Sequence, residues 1–252
     1  MQNRYVGDIG DYLKLGILRV LSRGHRLGMA WWLFPDEHHN QDGRHVGYLA
    51  RPHQWREFDP DLFDTLHKIV SAGERHVRAL ENAGILPEAL FANEVIPVGG
   101  PIAHRRKQRE RWFQRVGQSL GKTDLVFVDP DNGLEPDGFR HGSAKAGKSV
   151  TIAELQELAN PGRCLIVYHH QTRRKGGLEV EIAYWADRLR QAGFEKVDAL
   201  RAKPYSARVY FQLNAPDDVR RRTASLVEDW GRLFTLYPDL TAKHAPHSCH
   251  LR

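Results

Sequence analysis

Apolar residues recur along this chain in two rhythms, short unbroken runs and longer stretches with helical spacing. Leu13, Ile17, Leu18 and Leu21 predict a helix over 8–21, with Asp8 or Asp11 as its cap. Residues 27–34 predict a strand that Pro35-Asp36 ends, and 38–47 a polar loop. Asp59-Pro60 opens a helix that runs to about residue 82, with Pro60 in the first turn and Gly84 as terminator. A short strand follows at 91–98, then a Gly99-Gly100-Pro101 break and a basic helix at 102–120. Strands are predicted at 125–128 and 163–168, and helices at 151–158 and 178–192. The segment 135–149 has no period; its Gly, Lys and Ser content predicts a mobile loop. Strands at 196–201 and 207–213 flank a turn at Lys203-Pro204-Tyr205, and the last helix is expected at 215–234.

Strands alternating with helices imply an α/β fold, with a mostly parallel sheet and helices on both faces. The closing strand–turn–strand implies a C-terminal antiparallel pair at one edge. One such domain is expected over residues 1–240, with 241–252 as a flexible tail.

The chain has 252 residues, 37 Lys and Arg against 31 Asp and Glu, and a sequence pI near 9.4. No apolar run approaches the roughly 18 residues of a membrane span, so no membrane partner is expected. The polar, acidic start and the two cysteines, Cys164 and Cys249, predict a cytoplasmic, reducing location. The basic excess points to a polyanion such as RNA or DNA. It is clustered: Arg105, Arg106, Lys107, Arg109 and Arg111 precede Trp112, Arg173 lies in Thr-Arg-Arg-Lys, and a third cluster is Arg220-Arg221-Arg222. Each cluster taken singly reads more readily as a solvated face or loop; the three together, with Trp112 and Phe113 interleaved, favour nucleic acid. The sequence leaves the oligomeric state open.

The run Lys122-Thr-Asp-Leu-Val-Phe-Val-Asp-Pro-Asp-Asn-Gly-Leu134 carries the most chemistry. A buried strand delivers Asp129, Pro130, Asp131 and Asn132 to its C-terminal mouth, where open α/β sheets bind ligands. The same residue types are ordinary turn formers, so a purely structural reading stays open.

Two segments resemble the Rossmann-like S-adenosylmethionine-dependent methyltransferases, within them the J-type 23S ribosomal RNA adenine-N6 enzymes. Gly7-Asp8-Ile9-Gly10-Asp11-Tyr12-Leu13-Lys14 is similar to that family's Gly-Asn-x-Ala-Asp-x-x-Lys helix, and Val128-Asp129-Pro130 to the start of its Asp-Pro-Pro-Tyr motif. Those methyltransferases also close on a strand hairpin. The resemblance implies a nucleic-acid methyltransferase, acting on a base amine. Asp129 and the Pro130 carbonyl would accept the amine's N–H bonds, with Asp131 and Asn132 beside them. The cofactor would be bordered by Gly7, Asp8, Asp11, Lys14, Asp36 and Gly43. Arg105, Arg106, Lys107, Arg109 and Arg173 would grip phosphates, and the 135–148 loop would close over the acceptor. The chain departs from the family at Asp131, which stands for a second proline, and at Asn132, which stands for a base-stacking aromatic. Only Gly43 stands in the region of the Gly-rich cofactor loop, 34–44.

Two other readings start from the same residues. Asp129, Asp131, His169 and His170 end predicted strands and could hold Mg²⁺ or Mn²⁺ in a nuclease or phosphoesterase. His38 and His39 with Asp36 and Asp42 form a second possible ligand set. Alternatively, a methyltransferase-like fold could bind nucleic acid without catalysis. The stretch from Asp129 to Gly133 misses calcium-loop spacing, and Cys164 within a strand reads as core.

Overall fold

The computed structural model describes residues 1–37, 43–159, 162–172 and 174–240. His38, His39, Asp42, Arg173 and the 241–252 tail lie outside them.

Helix α1 (Ile9–Leu21) begins where the Asp8 carboxylate accepts the Asp11 N–H at 3.1 Å. Strand β1 (Leu27–Ala30) follows, then short α2 (Pro52–Trp55). The helix expected from 59 to 82 is two, α3 (Pro60–Ser71) and α4 (Val77–Asn82). Gly73, with φ of +73°, turns the chain out of the first. Strand β2 (Leu90–Ala92) leads to α5 (Ile102–Ser119) and β3 (Leu125–Val128). Next come the two-residue strands β4 (Gly133–Leu134) and β5 (Ser149–Val150), α6 (Ile152–Ala159) and β6 (Cys164–His170). The chain continues through α7 (Gly177–Gln191), β7 (Val197–Ala202), β8 (Arg208–Leu213), α8 (Asp217–Asp229) and β9 (Phe234–Tyr237).

Seven strands form one sheet in the order β2-β1-β3-β6-β8-β7-β9. The first four are mutually parallel; β8 runs antiparallel between β6 and β7, and β9 antiparallel beside β7. The architecture is α/β and Rossmann-like, with a mostly parallel sheet and one antiparallel-paired end. The predicted hairpin is present, but β9 takes the edge. Phe234, expected to end a helix, instead opens that strand against Ala202.

Period-two alternation splits the core between two faces. Leu125, Phe127 and Ile166 pack towards α1, α3 and α8; Val126, Val128, Leu165 and Val167 pack towards α5, α6 and α7. Both faces are thus covered by helices, as a largely parallel sheet requires. The 135–149 segment, expected as a mobile loop, is held at both ends by strand pairing. Strands β4 and β5 pair in parallel, Gly133 with Ser149 and Leu134 with Val150. A 3-10 helix at Ala144–Lys148 precedes β5. No helix among the described residues is long and apolar enough to cross a membrane.

Candidate active site

A cavity of about 340 Å³ opens at the carboxyl ends of β3 and β6. It joins the two motifs that lie far apart in sequence. Asp8, Gly10, Asp11 and Lys14 line it from α1, and Asp129, Pro130, Asp131 and Asn132 from the end of β3. Gly43, His45, Lys148, Tyr168, His170 and Arg208 complete much of the wall.

The floor is a buried charge cluster. The Lys14 ammonium bridges Asp11 Oδ1 at 2.8 Å and Asp129 Oδ2 at 2.5 Å. Helix spacing accounts for half of this, because Asp11 and Lys14 are one turn apart on one face. Strand parity accounts for the rest. Asp129 continues the Leu125–Phe127 row and so faces α1. Burial pushes both the Asp129 and Asp11 carboxyls above the usual range, against the pull of Lys14. Burial also works against the Lys14 charge, but the two carboxylates outweigh it and hold its pKa above the ordinary value. Among the described residues, Asp129 Oδ1 has no hydrogen-bond partner, since Lys14 engages only Oδ2. That oxygen is the acceptor the site can offer.

Asp131 is held differently. The α-ammonium of Met1 lies 2.6 Å from its Oδ1, and Gln2 Nε2 donates to its Oδ2 at 2.5 Å. Burial opposes the charge, yet the ammonium keeps this carboxyl below its usual range. The same ammonium donates to the Asp129 carbonyl at 2.7 Å. Asn132 is exposed, and its N–H donates to the Lys148 carbonyl at 2.8 Å.

The glycines serve geometry. Gly7 (φ +77°) donates its N–H to Asp11 Oδ2 at 2.8 Å, and a Cβ there would lie 2.3 Å from Val70 Cγ2. It positions Asp11 rather than lining the cavity. Asp36 is also outside; it is exposed and accepts the Arg4 N–H at 3.3 Å. Among the described residues after β1 there is no glycine-rich turn; Trp31 and Trp32 are buried there on opposite faces.

His169 and His170 separate, as adjacent strand residues must. His170 lines the cavity, opposite Arg208 in the β6–β8 register. His169 faces α7, where Glu181 Oε1 lies 3.0 Å from its Nε2. Its Nδ1 accepts the Leu134 N–H at 3.1 Å, which places the ring proton on Nε2. The expected ligand set of Asp129, Asp131 and His169 does not converge. No group of three metal-ligating side chains occurs among the described residues.

The basic residues also divide. Arg109 is 4% exposed and belongs to the core face of α5, correcting its expected role on phosphate. Its guanidinium meets Glu154 at 2.6 and 2.7 Å and donates to the Ala146 and Ser149 carbonyls. Arg105 holds the Gly100 and Gly142 carbonyls, and Arg106 pairs with Glu110 on the exposed surface. Lys107 is exposed. In the third cluster Arg220 pairs with Asp198 and Asp239, and Arg222 with Asp218. Much of the sequence-level basic signal is therefore spent on internal pairing.

Sequence reasoning missed Tyr5, His45, Lys148, Tyr168, Ser206 and Arg208 as cavity residues. Arg208 carried a usable signal: an antiparallel strand starts at the rim where its parallel neighbours end. Comparison of the sequence with protein-family models and with curated proteins finds no match.

Proposed function

We propose that the chain is an S-adenosylmethionine-dependent methyltransferase whose acceptor is a nucleic-acid base amine. The observation that carries this reading is Asp129: one oxygen clamped by Lys14, the other without a partner among the described residues, in a cavity at the sheet's carboxyl edge. The placement of β8 between β6 and β7 supports it, as does the resemblance of the two motifs that meet there.

The cavity chemistry fits one part of the cofactor. Acidic Asp8, Asp11, Asp129 and Asp131 interleave with basic Lys14, Lys148 and Arg208. Such a lining suits a ligand bearing both signs, as the amino-acid arm of S-adenosylmethionine does. Among the described residues no glycine-rich turn follows β1, so the adenosine half would rest on other groups. At about 340 Å³ the space is near the lower end for a small-ligand site. The acceptor would therefore approach from the open side.

When bound, the cofactor supplies an electrophilic methyl group. Asp129 Oδ1 accepts one N–H of the acceptor amine and the Pro130 carbonyl the other. Together they localise the nitrogen lone pair and orient it. Lys14 fixes the Asp129 carboxylate, so its free oxygen does not have to reorient. For a divalent-metal nuclease, Asp129 and Asp131 would first have to release Lys14 and the Met1 ammonium, and His169 would have to cross the sheet.

Calorimetry with S-adenosylmethionine and transfer of labelled methyl groups to RNA and DNA test the proposal. Asp129→Asn should keep cofactor binding and lose about 10²-fold or more in transfer rate. No heat with the wild-type protein, or Mn²⁺-dependent cutting of nucleic acid, would overturn it.

A further inference from the structure

The family motif's stacking aromatic is missing at Asn132, yet an aromatic is displayed at the same rim from another strand pair. Tyr205 occupies the turn between β7 and β8. Among the described residues it is the only exposed Phe, Trp or Tyr, at 51%. Its φ is +65°, a conformation that bulky L-residues rarely adopt. Such strain persists where the surroundings impose it, and here they do. Arg208 Nη1 donates to the Pro204 carbonyl at 3.2 Å and to the Ser206 carbonyl at 3.3 Å, gripping the turn on both sides of the tyrosine.

The ring stands beside the cavity mouth. The His45 ring lies 5.5 Å away and the Trp55 ring 6.4 Å away, centroid to centroid. His45, Ser206 and Arg208 all line the cavity that Asp129 lines. His45 is also tied to the cavity floor, since its carbonyl accepts the Ile9 N–H at the start of α1. An aromatic rim is thus fixed by the helix that carries Asp11 and Lys14.

We propose that Tyr205, backed by His45, is the stacking platform for an unpaired nucleobase entering this cavity. The ligand class is a single-stranded nucleic acid, recognised by the flat face of a base. This deepens the methyltransferase reading and rests on it for the identity of the acceptor. The β7–β8 turn takes the part that residue 132 cannot play. Base–aromatic stacking tolerates any base, so Tyr205 contributes affinity and position rather than sequence choice.

The test is anisotropy with eight-nucleotide single-stranded oligo(rA) and oligo(dA), each paired with an abasic oligonucleotide of equal length. Tyr205→Ala should weaken binding of the base-bearing strands by about tenfold or more and leave the abasic strands unchanged. Tyr205→Phe should stay within about twofold of wild type. Tyr205→Gly removes both ring and strain; it should lose the same affinity while melting no lower than wild type. The proposal is overturned if wild type does not distinguish base-bearing from abasic strands. Equal losses on both by Tyr205→Ala, or no loss, overturn it too. The two oligonucleotides separate RNA from DNA as the source of the base. Calorimetry of wild type and Tyr205→Ala with S-adenosylmethionine is read separately. Absence of heat refutes methyl transfer, whereas the abasic comparison alone decides the stacking platform.

Discussion

Replacing Lys14 with methionine removes the cation that contacts both Asp11 and Asp129, leaving the Met1 α-ammonium as a positive charge that still acts on Asp129. The side chains of Lys14, Asp11 and Asp129 are 6%, 0% and 5% exposed, so water does not substitute for the ammonium. Removing one member of a buried pair costs about 3–5 kcal/mol. A second route to the magnitude uses the proton. Without Lys14 the folded state can take up one proton on Asp11 or Asp129. Protonating a carboxyl of ordinary pKa near 3.9 costs about 4 kcal/mol at pH 7 and about 1.5 kcal/mol at pH 5. The two routes agree at neutral pH, and the second sets the pH dependence. The folded variant binds a proton that its unfolded chain does not, so its stability falls as pH rises. Burial already raises both carboxyls in the wild type, which is the same direction. Urea unfolding of wild type and Lys14→Met at pH 7 and pH 5 measures the difference. The expected deficit is about 4 kcal/mol at pH 7, shrinking to about 1.5 kcal/mol at pH 5. Adding Asp129→Asn to Lys14→Met should recover most of the deficit at pH 7. A deficit below about 1 kcal/mol at pH 7, or one that grows towards pH 5, would refute the buried-cluster reasoning.

Arg109→Ala removes the cation paired with Glu154 and one donor to each of the Ala146 and Ser149 carbonyls, and should cost about 3–5 kcal/mol in urea unfolding. The salt dependence of its nucleic-acid binding should match wild type, because the guanidinium is not at the surface. Gly133→Ala places a methyl 2.4 Å from His169 Nδ1 and 2.5 Å from its Cα, at a φ of +93°. A loss of more than about 2 kcal/mol is expected by the same assay, since the backbone of β6 cannot retreat.

The strands at 125–128 and 163–168 were legible because buried parallel strands read as unbroken apolar runs. Helix α1 was legible because its cap and apolar stripe agree. The last helix was overextended because Leu226, Trp230 and Leu233 keep helical spacing up to the residue where β9 begins. Arg109 shares a stripe with Trp112, Phe113 and Val116, so spacing alone could have moved it from surface to core. His169 and His170 were grouped by sequence adjacency, which in a strand is the condition that parts them. The pairing of Asp129 with Lys14, by contrast, depends on which face of the sheet α1 covers. That is fixed by chain crossing, and local pattern does not encode it. Tyr205 could not be singled out for the same reason, since its partners His45 and Trp55 come from a connection over 140 residues earlier.

Because β8 runs backwards between two forward strands, the turn entering it hangs over the business end of the sheet while the strand itself stays in the hydrogen-bonded lattice. Lengthening or rewriting residues 203–207 would disturb few ladder bonds and leave the Lys14–Asp11–Asp129 cluster untouched, though it would take from Arg208 the carbonyls it holds. The residues at the cavity's rim are thus separable from the charges at its floor: a short ribbon can be edited while the lattice beneath it stays as it is.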